Sequence, residues 1–313
     1  MKYTGAMTLL LAAMLAGCNG GDGDAGASTT PVIDATFASE HQAWRMQRLE
    51  ELQAPDGWTS LVGLHWLEWK SHYIGSGSTS GIRLAAGPAK MGLVSRDGNT
   101  VWFTPEAGVD LQLDGQPLKG RVRFQSDQDP EPTVIHFDEG QGALSLVRRG
   151  NLYALRVKHA DAPTRTNFAG LDYWPLDPSW QVKARFVPHP GNKTLPIVDI
   201  VSMTSEMPNP GLLEFQRDGR TWRLEAIGQP DGSLFVIFAD RTSGHGSYPA
   251  GRYLDIARPD ANNEVLVDFN RAYNPPCAFT PFATCPLPPP ENRLDLRVEA
   301  GEKNYAKPAG DQS

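Results

Sequence analysis

From Trp58 onward the chain runs in short stretches where apolar and polar residues alternate, broken roughly every ten residues by Gly, Asp or Pro. Gly81-Ile-Arg-Leu, Thr133-Val-Ile-His-Phe, Leu152-Tyr-Ala-Leu-Arg-Val, Arg220-Thr-Trp-Arg-Leu-Glu-Ala and Val265-Leu-Val-Asp-Phe carry the pattern. Successive side chains of a strand point to opposite faces, so each run can bury one face and wet the other. Short runs at this spacing build antiparallel sandwiches and barrels. The turns are supplied by 31 Gly and 26 Pro in 313 residues. Strands do not alternate with helices, which argues against a parallel α/β fold.

The expected fold is therefore all-β, with one N-terminal helix. That helix is predicted over 37–52, where Phe37, Trp44, Met46 or Leu49, and Leu52 can share a face and Pro55-Asp-Gly ends it. Residues 36–160 are expected to hold the helix and a β-sandwich, whose strand rhythm resembles that of forkhead-associated domains. No Ser-x-x-His element accompanies it, so phosphopeptide reading does not follow. A Pro-rich joint over 161–178 leads into a C-terminal β-barrel or second sandwich, the domain being 161–303, and 304–313 is expected to be a loose tail. Trp58, Trp66 and Trp69 read as core, and Arg148 and Arg149 as a solvated turn or a face of the joint.

The first seventeen residues combine Lys2, an apolar run and the ending Leu15-Ala-Gly-Cys18. This is a secretory signal, too short to span a bilayer, and its ending resembles a bacterial lipoprotein box. Cleavage would make Cys18 a lipidated N-terminus, several acyl chains anchoring far better than one. Asn19 in place of Asp favours the outer membrane by analogy with envelope sorting. Residues 18–35 are small and polar, a tether. The formal net charge of -7 becomes -8 without Lys2, and with no basic cluster nucleic acid is not an expected partner. Lipidation of Cys18 leaves Cys277 and Cys285, an isolated near pair that an oxidising compartment would join. A zinc site is the alternative, but no second Cys pair or nearby His supports it.

Two stretches concentrate polar side chains. Residues 240–253 contain Asp240, Thr242, Tyr248 and Arg252 in a Gly-rich loop between apolar strands. Residues 265–277 alternate Val265, Val267 and Phe269 against Leu266, Asp268 and Asn270, then enter a proline loop with Tyr273 and Asn274; Asn292 follows the second cysteine. Two readings fit. In one, Arg252 fixes an anionic or carbonyl oxygen, Asp268 or Asp240 acts as acid, base or orienter, and Asn270, Tyr273, Asn274 and Asn292 supply hydrogen bonds. In the other, Arg252 and Asp268 form a buried salt bridge and the rest pin the loop. Gly244-His-Gly-Ser247 is not a nucleophile elbow.

Long motifs add a family. Asp268-Phe-Asn-Arg-Ala-Tyr-Asn-Pro-Pro-Cys277, Cys285-Pro-Leu-Pro-Pro, Glu291-Asn-Arg-Leu294 and Ala300-Gly-Glu-Lys303 resemble the C-terminal signature of domain-of-unknown-function family 1684. Gly57-Trp-Thr-Ser-Leu-Val-Gly-Leu-His-Trp-Leu67 and Gly251-Arg-Tyr-Leu254 fit the same family. The resemblance spans about Trp44 to Lys303 and implies no established activity and no cofactor. The expectation is an outer-membrane-anchored lipoprotein facing the periplasm, binding a small molecule or an envelope component through its C-terminal half. The alternative is a hydrolase-like enzyme using Asp240, Arg252 and Asp268.

Overall fold

The computed structural model describes residues 33–306. The expected signal peptide, the lipidation site Cys18 and nearly all of the tether lie outside the described residues, as do 307–313. The helix Ala35–Gln53 opens this span. Asp34 caps it by accepting from the Thr36 and Phe37 amides, at 2.8 and 3.3 Å. Of the predicted apolar stripe, Leu52 is buried and Phe37, Trp44 and Leu49 are half-buried. Met46 is exposed, and the buried residues are His41 and Leu52. Two polar side chains on this helix also dock it, His41 on Asp268 and Arg48 on Glu302.

The next strands make a sandwich. One sheet orders Leu61–Trp66, Leu152–His159, Gly142–Arg149, Val134–Phe137, Gln112–Leu113 and Gln116–Pro117. The other orders Ile82–Arg83, Ser71–Gly75, Gly92–Asp97, Thr100–Pro105 and Val122–Arg123. Neighbours are antiparallel except the short Ser71–Gly75 and Ile82–Arg83 pair. The inward residues Ile74, Val94, Phe103, Ile135, Phe137, Leu144, Leu155 and Val157 form one core between the sheets. Period-two alternation chose these residues, and burial of aliphatic and aromatic side chains stabilises the layer by about 1.5–3 kcal/mol each.

The second core is a curled six-stranded antiparallel sheet, ordered Arg252–Ile256, Leu234–Phe238, Arg220–Gly228, Gly211–Arg217, Gln181–Pro188 and Glu264–Asp268. Its two edge strands approach each other, so the sheet closes toward a barrel. Leu213, Phe215, Leu224, Val236, Phe238, Leu254, Val267 and Phe269 fill the interior. A hairpin of Thr194–Val198 and Thr204–Pro208 lies against its outside, packing Leu195 and Ile197 on Ile227, Ile237 and Tyr253.

The sequence predicts a strand over 293–298. The structure has instead an extended segment with only an isolated bridge, Ala239 to Arg293, yet Leu294, Leu296, Val298 and Ala300 still alternate inward and complete the barrel core. It bonds first to the backbone of 239–241, Leu294 N to Ala239 O at 2.8 Å and Arg241 N to Leu296 O at 2.9 Å, and then at Val298 to the side chains of Asp240 and Arg252. Cys277 and Cys285 are joined in a disulfide with Cα atoms 6.1 Å apart. Their loop packs Ala283 and Cys285 on Leu61 of the sandwich. Tyr305, expected from the sequence in a loose tail, stacks on Phe168 with ring centroids 5.2 Å apart.

Candidate functional site

Arg252 is fully buried, and its strand points it with Leu254 and Ile256 into the barrel. Its guanidinium donates to Asp240 at 3.1 Å and to the Val298 carbonyl at 2.9 Å. It also donates to the carbonyls of Ala300 and Glu302. Asp240 accepts from the amides of Val298 (2.8 Å) and Thr242 (3.0 Å) and from the Thr242 hydroxyl (2.8 Å). Thr242 is itself fully buried, within 2.8 Å of the Ser247 hydroxyl. Burial alone pushes the Arg252 guanidinium down, and Asp240 opposes that shift. The pair thus acts as a piece of strand, meeting the backbone groups of the last segment. Two family-motif glycines make this fit: Gly251 and Gly301 have φ of 93° and 77°, and a Cβ would strike the Phe238 and Ala272 carbonyls.

Asparagines play the same part elsewhere. Asn292 donates to the carbonyls of Glu225 and Ile237, each at 2.9 Å, and accepts from the Glu225 amide at 2.7 Å. It thereby bridges two strands that pair directly only at Ile227 and Gly228. Asn270 exchanges the same two kinds of bond with the backbone of Asp177. Asn274 donates through its side chain to Lys303 O at 2.7 Å, and its amide donates to the buried Glu302 carboxylate. Glu302 meets Arg48 of the helix at 3.0 Å; burial raises its carboxyl above the usual range while Arg48 pulls it back. Tyr248 lies half-buried in a cluster with Phe279 and Leu52, and burial raises its phenol.

The anticipated Arg252–Asp268 partnership does not form. Asp268 ends its strand against Gln181 and faces the helix instead, where the buried His41 reaches it at 2.7 Å. Gln181 and Arg271 also approach the carboxylate. The other ring nitrogen of His41 lies 2.8 Å from the Phe37 carbonyl. His41 thus ties the helix's own backbone to the end of the barrel strand. Asp240 and Arg252 are thus buried together in the barrel, whereas Asp268 faces the helix.

The open hollow lies elsewhere, as a cleft of about 450 Å³ between the helix, the sandwich, the barrel and the disulfide loop. Trp44, Arg48 and Glu51 form the helical wall, and Trp58, Arg149 and Arg156 the sandwich wall. The barrel contributes Phe235, Tyr253, Asp255 and Tyr273, and the disulfide loop Thr284 and Cys285. Of the nine binding candidates read from the sequence, Tyr273 alone reaches it. Its hydroxyl donates to Asp255 at 2.9 Å, the Arg48 guanidinium sits 4.7 Å over its ring, and burial holds its phenol far above the ordinary tyrosine range.

Three cations line this cleft and their fates differ. Arg48 is bound to Glu302 and to the Asn274 carbonyl. Arg149 meets Asp127 at 2.8 Å and Thr284 at 2.9 Å, so it belongs to the joint and not to a solvated turn. The Arg156 side chain makes no hydrogen bond or ion pair with any described residue, and its Nε is buried without a partner. It sits 5.4 Å over the Trp58 ring. Desolvation lowers the guanidinium's affinity for its proton, Asp127 raises it and Arg149 lowers it again. Such a place favours an anion.

The sequence offered one signal for Arg156, a lone cation inside the apolar run of 152–157. The same pattern describes a solvated strand face. Two of the three tryptophans expected in the core lie outside it: Trp58 borders the cleft, and Trp69 is 73% exposed. His245, in the Gly-rich loop, is exposed.

Among solved structures, that of an uncharacterized protein of Haloarcula marismortui, determined in solution by NMR, is 34% identical to this chain. The match covers 44% of this chain and 78% of that one, with a TM-score of 0.38. No curated protein matches. The family described as "Protein of unknown function (DUF1684)" matches residues 166–303, which take in the barrel, Arg252, the disulfide loop and the closing Ala300 to Lys303 motif, and the chain belongs to it.

Proposed function

We propose that the protein is a binding module of the bacterial cell envelope, held to lipid through Cys18, whose cleft takes a small molecule bearing an anionic group. The observation that carries the reading is Arg156: a cation in a cleft of about 450 Å³, over Trp58, with no carboxylate of its own. A planar guanidinium in partly desolvated surroundings recognises carboxylate or phosphate oxygens in pairs. Trp44, Phe235 and Tyr253 give the ligand body apolar walls. The ending Leu15-Ala-Gly-Cys18 and the disulfide support a lipid-anchored place in an oxidising compartment. No nucleophile, base and orienter come together among the residues lining the cleft, so binding is the better-supported reading than catalysis.

A titration followed by the Trp58 indole N–H resonance tests it. Short carboxylates and inorganic phosphate should shift that resonance saturably in the wild type, and Arg156→Gln should weaken the effect at least tenfold. Equal binding by wild type and variant would remove Arg156 from the site and overturn the proposal.

A further inference from the structure

The cleft does not end at Arg149. A second hollow of about 490 Å³ adjoins it under the outer hairpin, and Arg149, Phe235, Thr284 and Pro286 line both. The two are lobes of one groove with a cationic waist. The second lobe is floored by Ile197, Ile227 and Ile237, with Met207 beside them. Its carboxylates are already engaged. Asp199 accepts from the amides of Val201 and Met203, at 3.0 and 2.8 Å, and Glu206 accepts from the Thr194 hydroxyl at 2.6 Å. In the first lobe Asp255 accepts from Tyr273 and Glu51 from Gln47. Arg156 is thus the one charged residue lining the groove, among the described residues, that no protein group has claimed.

Resting on the anion-binding reading above, we infer that the ligand is a single-chain amphiphile: an anionic head between Arg156 and Arg149, and an acyl tail running under the hairpin across Ile237, Ile227 and Ile197. The charge asymmetry fixes the direction. A head with a negative charge satisfies Arg156 in the first lobe beside the waist, whereas the floor of the second lobe offers a tail apolar contact and no unmet hydrogen-bonding group to desolvate. Fatty acids and lysophospholipid-type phosphates share this chemistry.

Calorimetry with butanoate, octanoate and dodecanoate, below their micellar concentrations, tests the inference on the full protein. Affinity should rise by about threefold to fourfold per added CH2 once the tail enters the lobe. Met207→Glu, which places a charge on the tail path, should flatten that series, and Met207→Leu should preserve it. Dodecyl phosphate binding more tightly than dodecanoate would assign the head to a phosphate source, and the reverse to free fatty acid; either supports the inference. Dodecyltrimethylammonium binding as tightly as dodecanoate would overturn it, since the head would then not matter. A flat series in the wild type, with butanoate binding still abolished by Arg156→Gln, would overturn the tail while leaving the anion cleft standing. Failure of every anion to bind would overturn both.

Discussion

Arg252 and Arg156 lie in one chain and meet opposite fates. The first is sealed in the barrel with a carboxylate and three backbone carbonyls around it. The second stands in the cleft with an aromatic ring beneath it and no oxygen within hydrogen-bonding reach. The difference teaches how to separate scaffold from site. A buried charge whose donors are spent on the chain's own backbone is part of the architecture. A half-buried charge whose donors are unspent is where a foreign group can be held.

The sharpest way to break this comparison is to dismantle the barrel pair. Arg252→Met or Asp240→Ala should each destabilise the protein by about 3–5 kcal/mol, read by chemical denaturation, because one buried charge is left alone. The double replacement Asp240→Leu with Arg252→Met distinguishes this pair from an ordinary buried bridge. An ordinary bridge is often replaced by apolar residues without loss. Here the double variant should stay destabilised, because the Val298 and Thr242 amides and the Val298, Ala300 and Glu302 carbonyls lose their partners. Full recovery in the double variant would show that the pair is only electrostatic.

A smaller effect is expected where the cleft meets its disulfide. Cys277→Ser with Cys285→Ser should lower stability by about 2.5 kcal/mol, from the loop closed over a separation of eight residues. No change in the denaturation midpoint would mean that the proline loop holds its shape without the bond. The smallest effect falls on the cleft cation. Arg156→Gln should leave the denaturation midpoint unchanged or raise it slightly, since it removes a desolvated charge with no mate. A loss of more than about 2 kcal/mol, within the range of a broken buried bond, would make Arg156 a structural residue like Arg252.

Much of the architecture was legible. Alternation marked the strands, Pro55 the helix end, and the two late cysteines their bond. Alternation also set the faces correctly, placing Val265, Val267 and Phe269 inward. What it does not carry is the partner across space. Asp268 was assigned to Arg252 because both belong to one polar region of the sequence, yet it meets His41, separated from it by 227 residues. Asn292 reads like a turn residue and is in fact a bridge between strands. The candidates clustered around the motifs because dense polar sequence looks like a site. In this fold dense polar sequence replaces missing strand pairing, and the cleft is built by scattered residues from four elements that no short window contains.

The bonds around Arg252 also set an order of events. Its acceptors at Val298, Ala300 and Glu302 are among the last described residues, and Glu302 in turn grips Arg48 on the first helix. During synthesis Arg252 is made 46 residues before the first of those carbonyls. The barrel can therefore be finished only once residues 298–302 are at hand, and the same step fastens the last described segment to the first described helix.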